Sequence, residues 1–525
     1  MGNVRNVLFI MCDQLRADYL SCYGHPTLET PNIDYLAQQG VKFNRAFIQS
    51  PSCGPSRMSF YTGRYVASHG AFWNFVPLRP GEHTLGDHLK QMCLTVAVAG
   101  KTHITPNTAD LQRLGIDPQS EEGRFYREGG FEPYDRDDGT HLAPPGIAIN
   151  NNYAEYLREK GYVDDNPWLT YANSAEDGDG TILSGMEMRH ARLPARVREE
   201  HSETPYMTDR AIDYIRSKKD EPWCLHLSYI KPHWPYVAPA PYNDMYDSGS
   251  ILDANRGEFD TGDLHPVIEA YQKLRVSQSF RPEAARQTVI PTYMGLTKQV
   301  DDHLGRLWEC LRQLGRMEDT LIIFTSDHGD YLGDHYLGDK EFFHEESVRI
   351  PLIVYNPSPE ADSTRRTETD ALVESIDILP TILEGLGGDV PGHILEGRSL
   401  VPIIRGEHNG DWRTSVLSEF DYSFLPVRNW LGMPVDRCRM YMIRTAEWKY
   451  IFMEDFSPIL FNLTEDPRET VDVSGDPKNS RILSELNGQL FERLRSLRYR
   501  PTLPDSVLED WREDKMNPGL KIGAW

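Results

Sequence analysis

A chain of 525 residues exceeds what one small core can organise, so a large α/β domain joined to a smaller one is expected. Its 39% apolar content and 40 glycines fit a globular protein with many loops, and no apolar run reaches the roughly 20 residues that cross a bilayer. A formal charge of −24 argues against nucleic acid and anionic membranes as partners, and obliges any anion site to gather its own Arg, Lys, His and metal against the global field.

Asn6 to Met11 is a short unbroken apolar run, which suits a strand buried on both faces of a parallel sheet. The run Val7 to Cys12 stops at Asp13, too short for a signal-peptide core, and Met1-Gly2 lacks the Ser or Thr at position 6 that myristoylation needs. A cytoplasmic location is expected. Seven scattered cysteines without a Cys-x-x-Cys pair form no disulfide framework and fit a reducing compartment. The sequon Asn462-Leu463-Thr464 reads as chance.

Thr30 can cap a helix with Pro31 at its first position, Ile33, Leu36 and Ala37 on one face, and Gly40 beyond its end. Val41 to Ile48 reads as extended, Pro55 to Tyr65 as a helix beginning just after Cys53, and Leu94 to Ala99 as a strand ending at Gly100-Lys101. Segments 104–206 and 237–290 are long and weakly periodic, as insertions that shape a pocket are. Within the first, Asp177-Gly178-Asp179-Gly180 mimics a calcium loop but lacks its closing Glu, and reads as a turn.

Trp223 to Ile230 is a strand ending at Lys231-Pro232-His233. A helix from about Leu296 to Leu314 precedes the strand Thr320 to Thr325, which ends at Ser326-Asp327-His328-Gly329, and Ile350 to Tyr355 is one further buried strand. Strands alternating with helices predict an α/β fold, a mostly parallel mixed sheet flanked by helices. Tyr441 to Phe452 reads as an antiparallel hairpin turning near Ala446-Glu447, Ile459 to Leu463 as another strand, and Ser480 to Leu497 as a helix. The division expected is a catalytic domain over 1–400, a smaller antiparallel sheet plus helix over 401–500, and a tail over 501–525. Trp511 and Trp525 suit that tail to packing on another surface, such as an oligomer contact.

Asp13, Lys101, His233 and Asp327 each follow the last apolar residue of a strand. Ligands of open α/β sheets bind beyond the carboxyl ends of the strands. Charged and metal-capable residues on four strand ends therefore converge on one rim. Cys53-Gly54-Pro55-Ser56-Arg57 has a cysteine two residues before a proline and four before an arginine, the pattern that a formylglycine-generating enzyme reads. By itself Cys53 is a small buried hydrophobe as readily as a reactive centre. At a helix N-terminus, however, unpaired N–H groups favour an anion there.

With these segments stand Val7 to Gln14, Thr30-Pro31-Asn32-Ile33-Asp34, Thr62-Gly63, Gly100-Lys101-Thr102-His103, Ser326-Asp327-His328-Gly329-Asp330, Leu337 to Lys340 and Glu447-Trp448-Lys449-Tyr450. In this order and spacing the chain resembles the sulfatase family of the alkaline phosphatase superfamily, near the phosphonate monoester hydrolases and choline-sulfatase-like enzymes. The resemblance implies an alkaline phosphatase-like fold and a divalent cation, Ca²⁺ or Mn²⁺, among Asp13, Gln14, the modified side chain at Cys53, Asp327 and His328. His328, an imidazole where calcium sulfatases often carry an amide, is what brings Mn²⁺ in beside Ca²⁺.

It also implies that Cys53 becomes formylglycine, whose hydrate attacks sulfur and forms a covalent sulfate hemiacetal. Arg57 would hold the hydrate, and Lys101 and Lys340 would pair with the sulfuryl oxygens. His233 or Lys340 would protonate the leaving alcohol, and His103 would deprotonate the second hydroxyl so that sulfate is expelled. Asn74 and His233 would contact substrate. His69, Asp330, Asp334 and His335 read as structural or supporting. The expected reaction is hydrolysis of aryl or small alkyl sulfate monoesters, with promiscuity toward phosphonate monoesters and phosphate diesters. The alternatives are a phosphonate monoester or phosphodiester hydrolase with the same machinery, and an unmodified anion-binding protein. The expected partners are a small anionic ester, a formylglycine-generating enzyme, and further copies of the chain in a dimer or tetramer.

Overall fold

Burial on both faces explains why Asn6–Asp13 is the centre of the molecule: every residue of it is buried in the computed structural model, which describes residues 4–139, 148–257, 261, 264–407, 410 and 412–510. It lies between Cys224–Pro232 and Thr320–Ser326 and pairs in parallel with both. Across the main sheet the order is Thr367–Thr369, Val41–Phe47, Arg349–Tyr355, Thr320–Ser326, Asn6–Asp13, Cys224–Pro232, Val96–Gly100 and Phe131–Arg136, with Val373–Glu374 also on Val41–Phe47. Arg349–Tyr355 runs antiparallel to both its neighbours, and the other pairings are parallel. The sheet is therefore mixed and mostly parallel.

Alternate residues of the central strand feed two cores. Val7, Phe9 and Met11 pack on the side that holds Met58, Phe60 and Tyr61 of the helix Cys53–Thr62. Leu8, Ile10 and Cys12 face Ala211, Ile215, Leu304 and Leu307 of the helices Glu203–Lys218 and Glu283–Gln313. Removing a methylene-rich side chain such as Ile10 would cost about 2–5 kcal/mol, because layers on both faces hold the strand in place.

The helix Pro31–Gln39 forms as expected, but Thr30 does not cap it through its side chain. The Thr30 hydroxyl instead accepts from the Ser21 N–H, at 3.1 Å. Asp301 supplies the cap, its Oδ1 accepting from the N–H groups of Asn32 (2.9 Å) and Ile33 (2.8 Å). The long helix begins at Glu283 rather than near Leu296 and carries Pro291 in its interior. Asp177-Gly178-Asp179-Gly180 is a turn, with Gly180 N–H donating to the Asp177 carbonyl.

A second sheet of Ser415–Asp421, Arg439–Thr445, Trp448–Met453 and Ile459–Asn462 is antiparallel throughout and is followed by the helix Ser480–Arg495. It meets the rest of the chain where Glu419 N–H donates to the Gln49 carbonyl at 2.8 Å. Arg413 also crosses the junction, bonding Asp377 with Glu374 nearby. Trp511 and Trp525 lie outside the described residues. Among the described residues no helix is long and apolar enough to cross a membrane.

Candidate functional site

The four rim residues do converge, and the strand register shows how. Between Cys12 and Asp13 the pairing with Cys224–Pro232 shifts, so Asp13 sits opposite Pro232 and beside His233. On its other side Cys12 pairs with Ser326, and Asp327 N–H donates to the Cys12 carbonyl at 3.2 Å. Lys101 follows Gly100, whose φ of 104° and 1.9 Å gap between a built Cβ and the Ser228 carbonyl oxygen admit only glycine.

Cys53 opens the helix Cys53–Thr62, every residue of which is buried. Ser52 makes no side-chain cap. Asn74 does that work from outside, its Oδ1 accepting from Gly54 N–H (2.8 Å) and from the Ser52 hydroxyl (3.2 Å). The cap uses only the carboxamide oxygen of Asn74. Gly54 is required for the approach, since a Cβ there would meet Asn74 Cα at 2.8 Å.

The Cys53 Sγ lies 3.1 Å from His328 Nε2 and 4.0 Å from Asp13 Oδ1. Burial would raise the thiol, but Lys340, Lys101 and His328, with the His103 ring bonded to it, hold it well below the ordinary thiol value. The local positive field that a −24 chain needs for an anion is therefore present. Asp13 is treated alike: burial would raise its carboxyl, while Lys101 and His233 keep it below the ordinary carboxylate range. The His233 imidazole is lowered by burial, against the pull of Asp13, and it too bonds Cys53.

Arg57 is bonded to the strand ends. Its Nε donates to Asp327 Oδ2 at 2.7 Å, and its Nη1 donates to the Lys101 carbonyl and the Ser228 hydroxyl at 2.8 Å each. Its Nη2 lies 3.4 Å from Asp13 Oδ2. The guanidinium thus lies against two carboxylates, and its Nη2 is buried without a well-formed hydrogen bond. Lys101 Nζ is 2.5 Å from Asp13 Oδ2. Lys340 Nζ donates to Gln14 Oε1 at 3.1 Å and pairs with Asp339 at 3.1 Å.

Gln14, expected among the metal ligands, has its carboxamide engaged elsewhere. Its Nε2 donates to Asp330 at 2.7 Å, its Oε1 accepts from Lys340, and its backbone N–H reaches Asp327 at 3.0 Å from a φ of 66°. The left-handed backbone swings the side chain toward the Lys340 loop. Several supporting residues carry no signal in the sequence. Asp138 accepts from the Thr102 and His103 N–H groups, Tyr236 donates to Asp330, and Tyr293 donates to the Gln14 carbonyl. Each is a single polar residue brought in from a distant segment.

A cation fits the donor set. Ligand atoms of Asp13, Cys53, Asp327 and His328 all lie within 4.8 Å of one another, and all four residues are buried. The His328 Nδ1 is 2.8 Å from the Gly329 carbonyl, so Nδ1–H donates there and Nε2 is left facing the carboxylates, 3.7 Å from Asp13 and 3.6 Å from Asp327. Against burial, which lowers it, Asp327 drives that imidazole up to about 9. Asp13 Oδ2 is buried without a well-formed hydrogen bond. Two carboxylates, an imidazole nitrogen and the position-53 side chain converging in one closed pocket are a donor set that a divalent ion takes.

Comparison with known proteins identifies the family and the fold. The family model described as "Sulfatase" matches residues 5–388, and one described as "N-sulphoglucosamine sulphohydrolase, C-terminal" matches 333–496. The multifunctional alkaline phosphatase superfamily protein PehA of Trinickia caryophylli is 32% identical over 92% of this chain and 93% of its own. An arylsulfatase of Clostridium perfringens is 24% identical over 93% and 94%. The structure of phosphonate monoester hydrolase SpPMH from Silicibacter pomeroyi superposes with a TM-score of 0.83 at 30% identity, covering 95% of this chain and 97% of that one. The fold is alkaline phosphatase-like, and the chain belongs to the sulfatase family.

Proposed function

We propose that the chain hydrolyses sulfate monoesters of aryl or small alkyl alcohols, with Cys53 oxidised to formylglycine and one divalent cation, Ca²⁺ or Mn²⁺, held by Asp13, Asp327, His328 and the modified residue. The aldehyde hydrate supplies a nucleophilic hydroxyl and the cation favours its anionic form. Around position 53, Lys101 and Lys340 offer N–H donors to the sulfuryl oxygens, and Arg57 keeps Asp13 and Asp327 aligned. His233 and Lys340 hold the proton for the leaving oxygen, and His103 takes the proton of the second hydroxyl.

The observation that carries this reading is the ring about Cys53 of Lys101, His103, His233 and Lys340, each able to donate an N–H. Such a ring suits the three equivalent oxygens of a sulfuryl group. A phosphonate would turn a carbon substituent toward one of these polar groups. The second reading, a phosphonate monoester hydrolase, is favoured by the likeness to SpPMH and by Gln14 and Asn74 in the site. A third, an unmodified anion-binding protein, holds if Cys53 is never oxidised. Maturation needs a formylglycine-generating enzyme as partner. Seven free cysteines support a cytoplasmic setting, and we place the chain in a dimer or tetramer.

Mass measurement of the Cys53 peptide from active enzyme, beside assays with an aryl sulfate and a phenyl phosphonate ester, tests the proposal. The aldehyde mass and faster sulfate turnover are expected. A full thiol mass in active enzyme overturns the mechanism, and a strong preference for phosphonate reverses the ranking.

A further inference from the structure

A cavity of about 830 Å³ opens beside the site and is not used by any step above. Its size falls within the range of small-molecule pockets. Met186 and Met188 form one wall, Trp234 and Tyr236 a second, and Val276 and Ala285 a third. Two of its lining residues touch residues of the reacting centre. Trp234 follows His233, their rings 4.6 Å apart, and Asp339 pairs with Lys340. An alcohol leaving toward His233 and Lys340 would have this cavity next to it.

The charges on the walls are nearly balanced. Glu187 is paired with Arg189 at 2.5 Å, and Asp339 with Lys340 at 3.1 Å. Arg275, exposed on the wall, has no acidic partner among the described residues. Arg275 is thus the lining charge left without an opposite partner among the described residues, beside apolar and aromatic side chains. Resting on the ester-hydrolase reading, we infer that this cavity is the leaving-group pocket and that it selects an aromatic alcohol bearing an anionic substituent, met by Arg275. A small alcohol would leave Trp234 and the methionines uncovered, and a cationic one would face Arg275 with like charge.

Binding of the free alcohols tests this without turnover. Calorimetry on the isolated full-length protein should show 4-hydroxybenzoate binding roughly three- to tenfold more tightly than 4-methylphenol, as one solvent-facing ion pair allows. Arg275→Ala should erase that advantage, and Ala285→Phe, which fills the wall, should weaken both phenols. An advantage that persists in Arg275→Ala, or choline binding as tightly as 4-hydroxybenzoate, overturns the inference. Turnover of the corresponding sulfate esters is read in parallel. If every ester is inert, the hydrolase reading falls, while the binding difference still decides what the cavity takes.

Discussion

Asn74 shows how a residue outside the catalytic set can control it. Its carboxamide oxygen substitutes for the missing Ser52 cap and so fixes the first turn of the helix that presents Cys53. Gly54 is the only residue that lets the two backbones come this close. In Gly54→Ala the added methyl must push the Asn74 loop away, and a displacement of about 1 Å near reacting groups costs on the order of 10²-fold in rate. Steady-state kinetics should show that loss in kcat/KM, provided the aldehyde content at Cys53 matches wild type. A variant with unaltered kinetics would mean that the Asn74 contact is incidental.

Elements in this fold are tied to each other by polar groups far apart in the chain. The helix Pro31–Gln39 takes its N-terminal partner from Asp301, on the long helix Glu283–Gln313. Two orphan N–H groups are satisfied there at once, one of them, on Ile33, buried. Asp301→Ala should lower stability by about 1–2 kcal/mol, the usual cost of a lost cap, read as a shift in the urea midpoint with an unaltered slope. Removing Thr30's hydroxyl should cost less at this helix, because it does not cap it. If Thr30→Val proves the more damaging substitution, the cap has been misassigned.

At the scale of the whole molecule the second sheet meets the rest of the chain through buried polar groups. Glu419 sits at the junction, accepting from Ala67 N–H at 2.8 Å, and burial with Glu396 nearby pushes its carboxyl from 4.5 up to about 7. The folded state therefore holds a proton that the unfolded chain releases near 4.5. The stability this gives is whole below pH 4.5 and is lost as pH rises through 7. The shift corresponds to roughly 3 kcal/mol. Glu419→Gln keeps an acceptor for Ala67 and removes the titration, so its stability relative to wild type should increase between pH 5 and pH 8. Parallel denaturation curves that differ by a constant amount over that range would exclude Glu419 as the source.

Buried strands and the residues at their carboxyl ends could be read directly, since an apolar run followed by Asp13, Lys101, His233 or Asp327 is local information. The edge strand Phe131–Arg136 was not read, because a polar strand with Pro133 in it has neither pattern nor alternation. The start of the long helix was hidden by Pro291, which reads as a stop but is accommodated within the helix. Sequence alone thus determined the family, the rim and the Cys53 motif, all of which are set by residue type and spacing. Tertiary structure decided that Arg57 lies against two carboxylates and that Gln14 turns to Lys340 and Asp330. Those outcomes depend on where side chains separated by hundreds of residues come to lie, and hydrogen-bond partners over such distances are chosen by packing, not by local pattern.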